Sequence, residues 1–373
     1  MTARVTAADR LAARESERAR SRGLGILHPL LEEPGLTDIY VNSPDEVWTD
    51  GADGPRRRDV VFAGEDAVRE LATRLITAAG RRLDSGHPCA DVQSAAGYRV
   101  HAVIPPISPE TTCLSIRVQP RSLPTFEGLC AAGMLTESME EALRGMISRR
   151  RSFIISGPAG TGKTTLLNAL LGLCGASERL VLIEDSAELR PAHPHAIRLQ
   201  TREANAEGRG AVGLADLIRQ SLRMGPDRIV LGECRGAEVK ELFLAMNTGH
   251  EGGGGTLHAN SAEAVPARLV ALGALTGLTA EAVTLQAVSA ISVVVHLQRG
   301  PRGRFVQQVG VLSVGEAGLE VLPALSTTPE GWTVAGPAFA ALESLTGQGL
   351  PRRGRRPERA PTSSATGRGG ERT

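Results

Sequence analysis

The sequence predicts an α/β fold with a smaller α+β region ahead of it. Three observations predict it: a phosphate-binding loop between a buried strand and a helix, later apolar runs that end in carboxylates, and mixed strand and helix patterning over the first third. The loop is Gly157-Pro-Ala-Gly-Thr-Gly162-Lys163-Thr164, which fits G-x-x-x-x-G-K-[ST] at every fixed position, and Lys163 is one of only two lysines in 373 residues. Ser152 to Ser156 is a short apolar run of the kind buried in a parallel sheet, and Thr165 to Leu171 continues as a helix with apolar residues at helical spacing. Gly157, Gly160 and Gly162 let backbone N–H groups turn inward around phosphates, and the helix N-terminus adds partial positive charge. With Pro158, Ala159, Thr161 and Thr165 completing the segment, Lys163 is expected to reach the β and γ phosphates and the Thr164 hydroxyl to meet Mg²⁺. The chain is expected to bind a nucleoside triphosphate.

Composition bounds the rest. A chain of this length with 41% hydrophobic residues can build two cores. No apolar run reaches the ~18 residues of a membrane span, and the first residues lack the apolar stretch of a signal peptide, which reads as cytoplasmic. Cys89, Cys113, Cys130, Cys174 and Cys234 form no C-x-x-C pair, so neither a disulfide framework nor a zinc site is suggested. A net charge of +1 gives no global pull toward nucleic acid.

The expected organisation is an N-terminal extension over 1–23, an α+β domain over 24–119, a proline-marked linker over 120–126, the nucleotide domain over 127–345 and a basic tail over 346–373 that is expected to be disordered. In the first domain, Thr37 to Val41, Asp45 to Thr49 and Asp59 to Phe62 read as strands. Glu65 to Ala79 reads as a helix with Val68, Leu71, Ala72, Leu75 and Ile76 on one face. Ala90 to Gln93, Tyr98 to Ile104 and Leu114 to Val118 read as further strands. Beyond the linker, Glu137 to Ile147 and Gly213 to Met224 read as helices. Leu180 to Ile183, Ala196 to Leu199 and Arg228 to Leu231 read as strands, and Ala290 to Leu297 with Phe305 to Leu312 as a terminal hairpin. A RecA-like core is the natural class for the second domain.

Hydrolysis needs a carboxylate at a strand end beside the loop, where ligands of open α/β sheets bind. Val181-Leu182-Ile183 ends in Glu184-Asp185, with Glu188 close behind, and Ile229-Val230-Leu231 ends in Gly232-Glu233. Then comes His250-Glu-Gly-Gly-Gly-Gly-Thr256-Leu-His258-Ala-Asn260, whose four glycines give a backbone that lies close to a ligand or forms a flexible loop. The two histidines lack a third ligand of suitable spacing for zinc.

The ordered set GPAGTGKTT at 157, LIEDSAEL at 182, SLRMGPDRIVLGECRGAE at 221 and AMNTGHEGGGGTLHAN at 245 resembles the type II/IV secretion ATPases, in particular the Tad-type (TadA/CpaF-like) branch and its actinobacterial subgroup. PLLEEPGLTDIYVNSPDEVW, GRRLDSGHPCADV, YRVHAVIPPIS and LSIRV extend the resemblance into the first domain, so that it covers about 20–345. It implies a RecA-like P-loop ATPase core preceded by the small α+β domain, with ATP and Mg²⁺ as cofactors. It also implies a homo-hexamer on the inner face of the cell membrane that drives platform proteins, and through them pilins or secreted substrates. Lys163 and Thr164 match the Walker A pair, and Glu184, Asp185 and Glu188 the aspartate box. Glu233 matches the water-polarising Walker B glutamate, and His258 the histidine box that senses γ-phosphate. Thr164 and Asp185 would hold Mg²⁺, the latter through water, and Arg99 and Arg117 match N-domain arginines that approach the nucleotide. Arg202, Arg223 and Arg235 are further cations for the same work. The resemblance departs at Gly252 to Gly255, where relatives carry Ser or Thr and the glycines are expected to loosen the histidine box, and at His101, where relatives carry Asn.

A motor that moves its two domains about the linker is the leading reading, and a DNA-transfer or nucleic-acid-translocating ATPase the alternative. Direct nucleic-acid binding is disfavoured, because aromatics are 3% of the chain and no aromatic-rich basic stretch suits stacking. A guanine-specific N-K-x-D motif is excluded, since the other lysine, Lys240, lies in Glu238-Val-Lys-Glu.

Overall fold

The computed structural model describes residues 23–351 and 354, apart from 34, 52–53, 95–96, 119–122, 203, 205–208, 302 and 348. The extension expected over 1–23 and the tail over 346–373 therefore lie mostly outside the described residues, as does the start of the 120–126 linker. The chain divides into two compact units between Ser122 and Leu123.

In the first unit a 3-10 helix, Gly25–Glu32, precedes β1 (Leu36–Ser43), β2 (Glu46–Gly51), β3 (Arg56–Arg58), α1 (Glu65–Ala78), β4 (Cys89–Gln93), β5 (Tyr98–Val103) and β6 (Cys113–Val118). The strands form one antiparallel sheet in the order β3-β2-β1-β6-β5-β4. Period-two alternation sends Ile39, Val92, Val100 and Ile116 into one core with Val68, Leu71 and Leu75 of α1, the helical face expected from the sequence. The third strand is not Asp59 to Phe62 but Arg56–Arg58, paired with Val47, Trp48 and Thr49. At a sheet edge a charged strand is tolerated, and Arg58 is anchored by the Glu33 carboxylate and the Thr49 hydroxyl.

The second unit opens with α2 (Phe126–Ala131) and α3 (Glu137–Ser148), each capped by a threonine: Thr125 Oγ1 accepts from Gly128 N at 3.1 Å and Thr136 Oγ1 from Met139 N at 3.4 Å. Phe126, expected to end the linker, is instead a buried first residue of helix. There follow β7 (Phe153–Ser156), α4 (Lys163–Leu171), β8 (Leu180–Glu184), β9 (Ala196–Gln200), α5 (Leu214–Ser221), β10 (Arg228–Cys234), α6 (Val239–Asn247), β11 (Gly254–Leu257), α7 (Val265–Ala274) and α8 (Ala280–Ala290). The unit ends with β12 (Val293–Gly300), β13 (Gly303–Gly315), β14 (Gly318–Thr327), β15 (Thr333–Ala335) and α9 (Phe339–Thr346). Because α8 runs to Ala290, the hairpin begins at Val293, later than the sequence pattern indicates.

All but the last four of these strands, with β12 joining them, run parallel in the order β12-β7-β11-β10-β8-β9, and β13, β14 and β15 extend the β12 side antiparallel. One core holds α2, α3, α4 and α9 against Phe153, Ile155 and Leu182; another holds α5 to α8 against Ile154, Ile183 and Leu231. Covering both faces explains why these strands read as unbroken apolar runs.

The glycine run is where the structure corrects the sequence reading. Gly254 and Gly255 are not a flexible loop: they begin β11, hydrogen-bonded between β10 and β7, and are buried. A Cβ on Gly254 would stand 2.7 Å from the Phe153 ring, so glycine here permits close packing and the segment that leads to His258 is held firmly. Among the described residues no helix is long and apolar enough to cross a membrane.

Candidate nucleotide site

The parallel order places the ends of β7, β11, β10 and β8 side by side, and the residues at those ends make the site. The chain leaves β7 at Ser156 and turns through Gly157, Gly160 and Gly162 at φ of 151°, 73° and 93° before α4 starts at Lys163. Such positive φ values suit glycine, and they give the loop the tight turns that the motif requires. The helix begins two residues earlier than Thr165, so Lys163 and Thr164 occupy its first turn.

Lys163 is buried, and its Nζ donates to the carbonyls of Gly157 at 3.1 Å and Pro158 at 3.0 Å. Its Nζ also lies 3.4 Å from His258 Nδ1, while His258 Nε2 lies 2.9 Å from Glu233 Oε1. Burial, and then the Lys163 charge, hold the His258 pKa below the ordinary histidine value against the pull of Glu233. A neutral imidazole fits one tautomer here: Nδ1 accepts from the lysine and Nε2–H donates to the carboxylate. Burial also lowers the Lys163 pKa, opposed by Glu233. A lysine, an imidazole and a carboxylate therefore form one connected chain from three separate sequence motifs.

Glu184, at the end of β8, is buried, and its carboxylate accepts from Glu188 N at 3.1 Å and Leu189 N at 3.0 Å. Burial pushes its pKa up to about 7 despite those hydrogen bonds. Its Cγ would be 2.7 Å from a Cβ on residue 232, so Gly232, where other P-loop enzymes carry a carboxylate, leaves room for the Glu184 side chain. The raised pKa gives a pH prediction. With an ordinary value near 4.5 when unfolded and about 7 when folded, Glu184 favours the folded state fully only below the unfolded value, and this contribution is lost as pH rises through 7. Thermal melts from pH 4.5 to 8 are therefore expected to show wild type losing stability relative to Glu184→Gln as pH rises; parallel curves would mean that the carboxyl is ionised throughout.

Asp185 pairs with Arg235 at 2.5 Å, which joins an expected metal ligand to a candidate arginine. Arg202 donates to the Gly210 carbonyl and Arg223 to that of Arg219, so neither is engaged with the loop. His250 sits against the Ala245 carbonyl at 3.2 Å, where it caps α6. Among the described residues no three His, Cys, Asp or Glu side chains gather as a metal cage. Mg²⁺ shares phosphates and waters with one or two protein oxygens, a mode for which the Thr164 hydroxyl in the first turn of α4 and the carboxylates at the ends of β8 and β10 are the candidate oxygens. Arg99 and Arg117 belong to the first unit, paired across β5 and β6; Arg99 binds Asp91 at 2.7 Å and Arg117 binds Asp38 at 3.1 Å.

Two residues beside the loop escaped the sequence reading. Arg268 of α7 lines a groove of about 480 Å³ with Pro158, Ala159, His258 and Asn260. His296 of β12 is buried, its Nδ1 2.9 Å from Ser156 Oγ. A lone histidine inside Val293-Val-Val-His296-Leu-Gln was the only signal for it.

Residues 20–318 match the family described as Type II/IV secretion system protein. The chain belongs to this family. Relatives of this secretion-family chain include the putative conjugal transfer protein Rv3659c of Mycobacterium tuberculosis, 47% identical over 80% of this chain and 87% of that protein. The type IV secretion system protein PtlH of Bordetella pertussis is 33% identical over 66% of this chain and 79% of its own length. Among solved structures, the Legionella pneumophila ATPase DotB aligns at a TM-score of 0.52 and 21% identity, covering 82% of this chain and 81% of that one. The pilus retraction motor PilT with bound ADP aligns at 0.50 and 20% identity, covering 80% of this chain and 81% of that one. These structures share the fold, a RecA-like phosphate-loop core.

Proposed function

We propose that this member of the type II/IV secretion family is an ATP-hydrolysing motor of the Tad type. It would work as a homo-hexamer on the cytoplasmic face of the inner membrane and drive platform proteins that assemble a pilus or export a substrate. The observation that carries the enzymatic part is the Lys163–His258–Glu233 chain. A lysine and a carboxylate lie at opposite ends of one imidazole, which supports the reading of Lys163 as the phosphate cation and Glu233 as the water-polarising base. Mg²⁺ bound by Thr164, with Glu184 or Asp185 through water, would neutralise phosphate charge.

Arg99 and Arg117 are assigned the developing charge on the transferred phosphoryl group, which a motor with domain-borne arginines can couple to rigid-body motion. In the full-length chain, Arg99→Ala and Arg117→Ala are expected to bind ATP normally but lose turnover about 10²- to 10³-fold each, the scale of removing one charge-stabilising donor. Labelled-nucleotide binding, phosphate release and sedimentation velocity check this; unchanged turnover in both variants of an assembled hexamer would remove them from the mechanism. The conjugal-transfer relatives favour a second reading, in which the same motor serves DNA transfer. A gene deletion that abolishes plasmid transfer but leaves surface pili and secreted proteins intact selects it.

A further inference from the structure

β12 runs parallel to β7 with His296 in register with Ser156, so its next residue flanks the phosphate loop: the Leu297 carbonyl would stand 2.6 Å from a Cβ on Gly157. His296 has no exposed surface, and its two ring nitrogens face different elements. Nδ1 meets Ser156 Oγ at 2.9 Å, at the last residue before the loop. Nε2 is buried and has no partner in full hydrogen-bonding geometry among the described residues; the Asn260 backbone makes a loose hydrogen bond to the ring, and the Glu263 carboxylate acts on it through its charge. Asn260 and Glu263 belong to the turn that follows His258 and precedes α7.

The surrounding acceptors define the proton's place. Burial keeps the ring neutral, while Glu263 and the Asn260 backbone favour a proton on the nitrogen that faces them. The consistent tautomer has Ser156 O–H donating to Nδ1 and Nε2–H pointing at the turn. A buried donor left without a well-formed bond has part of its desolvation cost of roughly 1–3 kcal/mol uncompensated, so a movement of the turn that tightens this bond is favoured.

We propose that His296 is a positioning residue that couples the phosphate loop to the His258 turn, its Nε2–H being taken up by the Asn260–Glu263 turn when that turn closes on bound triphosphate. The inference rests on the ATPase reading above and adds a residue that touches neither nucleotide nor water. Bound phosphate orders Gly157 and Ser156, Ser156 fixes the imidazole, and the imidazole fixes the turn that directly follows His258.

The two amides separate the two nitrogens: asparagine at 296 reaches Ser156 as Nδ1 does, and glutamine reaches the turn as Nε2 does. For the full-length protein, His296→Phe is expected to lower kcat at least tenfold with KM for Mg-ATP within about twofold. It should also leave the melting temperature without nucleotide unchanged or higher. His296→Gln is expected to recover more of kcat than His296→Asn, and His296→Phe combined with Glu263→Gln to lose no more than the phenylalanine variant alone. Wild-type kcat in His296→Phe would overturn the proposal, as would equal recovery by the two amides or turnover losses that track losses of melting temperature across all three variants. A wild-type protein that binds but does not turn over Mg-ATP fails the parent reading instead, and the proposal with it.

Discussion

Replacing Lys163 with alanine is expected nearly to abolish ATP binding, whereas Glu233→Gln keeps binding and loses hydrolysis by on the order of 10²- to 10⁴-fold, the range of a lost general base. The two residues belong to one hydrogen-bonded chain but sit at its opposite ends. Lys163 lies in the first turn of α4 against the loop's own carbonyls, so its loss removes the cation proposed to meet the phosphates. Glu233 lies beyond the imidazole, 2.9 Å from His258 Nε2, at the end of the chain away from Lys163 and in the place proposed for a water-polarising base. His258→Ala falls between them: turnover should drop far more than affinity, because a contact to γ-phosphate strengthens as charge moves onto it during transfer. Fluorescent-nucleotide titration and phosphate-release assays separate the three. Turnover in Glu233→Gln equal to wild type would remove Glu233 from the chemistry, and loss of ATP affinity in His258→Ala at an unchanged maximal rate would make that histidine a ground-state ligand.

The parts of this site that could be read from sequence are those where chemistry fixes spacing. A phosphate loop demands its glycines, its lysine and its hydroxyl in one short segment, and the strand and helix on either side follow from apolar periodicity. The helical face of α1 was legible for the same reason. What was not legible depends on what lies across the sheet. Nothing near Glu184 in sequence says that its carboxylate is buried and bound by the backbone of Glu188 and Leu189, because the covering turn closes only in the fold. The pairing of Asp185 with Arg235 joins two strand ends about fifty residues apart. At β3, alternation favoured the apolar Asp59 to Phe62, yet the ladder chose three arginines whose edge position leaves their charges in reach of solvent. His296 sits in an apolar run that any strand could carry, and only its register with Ser156 gives it a task.

The glycine run makes the sharpest test of that difference between local pattern and packing. Gly254→Val is expected to leave little folded protein, and Gly254→Ala to cost about 1–3 kcal/mol, the usual penalty for overpacking a core. The reason is the ring of Phe153, directly across β11 and β7, whose atoms would lie 2.7–2.9 Å from an added Cβ. Phe153 is fully buried and cannot swing out to solvent. Gly255 is confined as well, with the Leu231 carbonyl 2.8 Å from its Cβ position, so the strand cannot slide to relieve the clash. The consequence reaches the site, because β11 ends at Leu257 and delivers His258 to Lys163 and Glu233. Phe153→Leu should recover part of the stability lost in Gly254→Ala, since a smaller side chain opens the space the methyl needs, and the two changes in contact should be non-additive. Urea denaturation of the single and double variants measures this. If Gly254→Ala unfolds at the wild-type midpoint, the segment is slack, and the His258 geometry is then held by something other than the packing of β11.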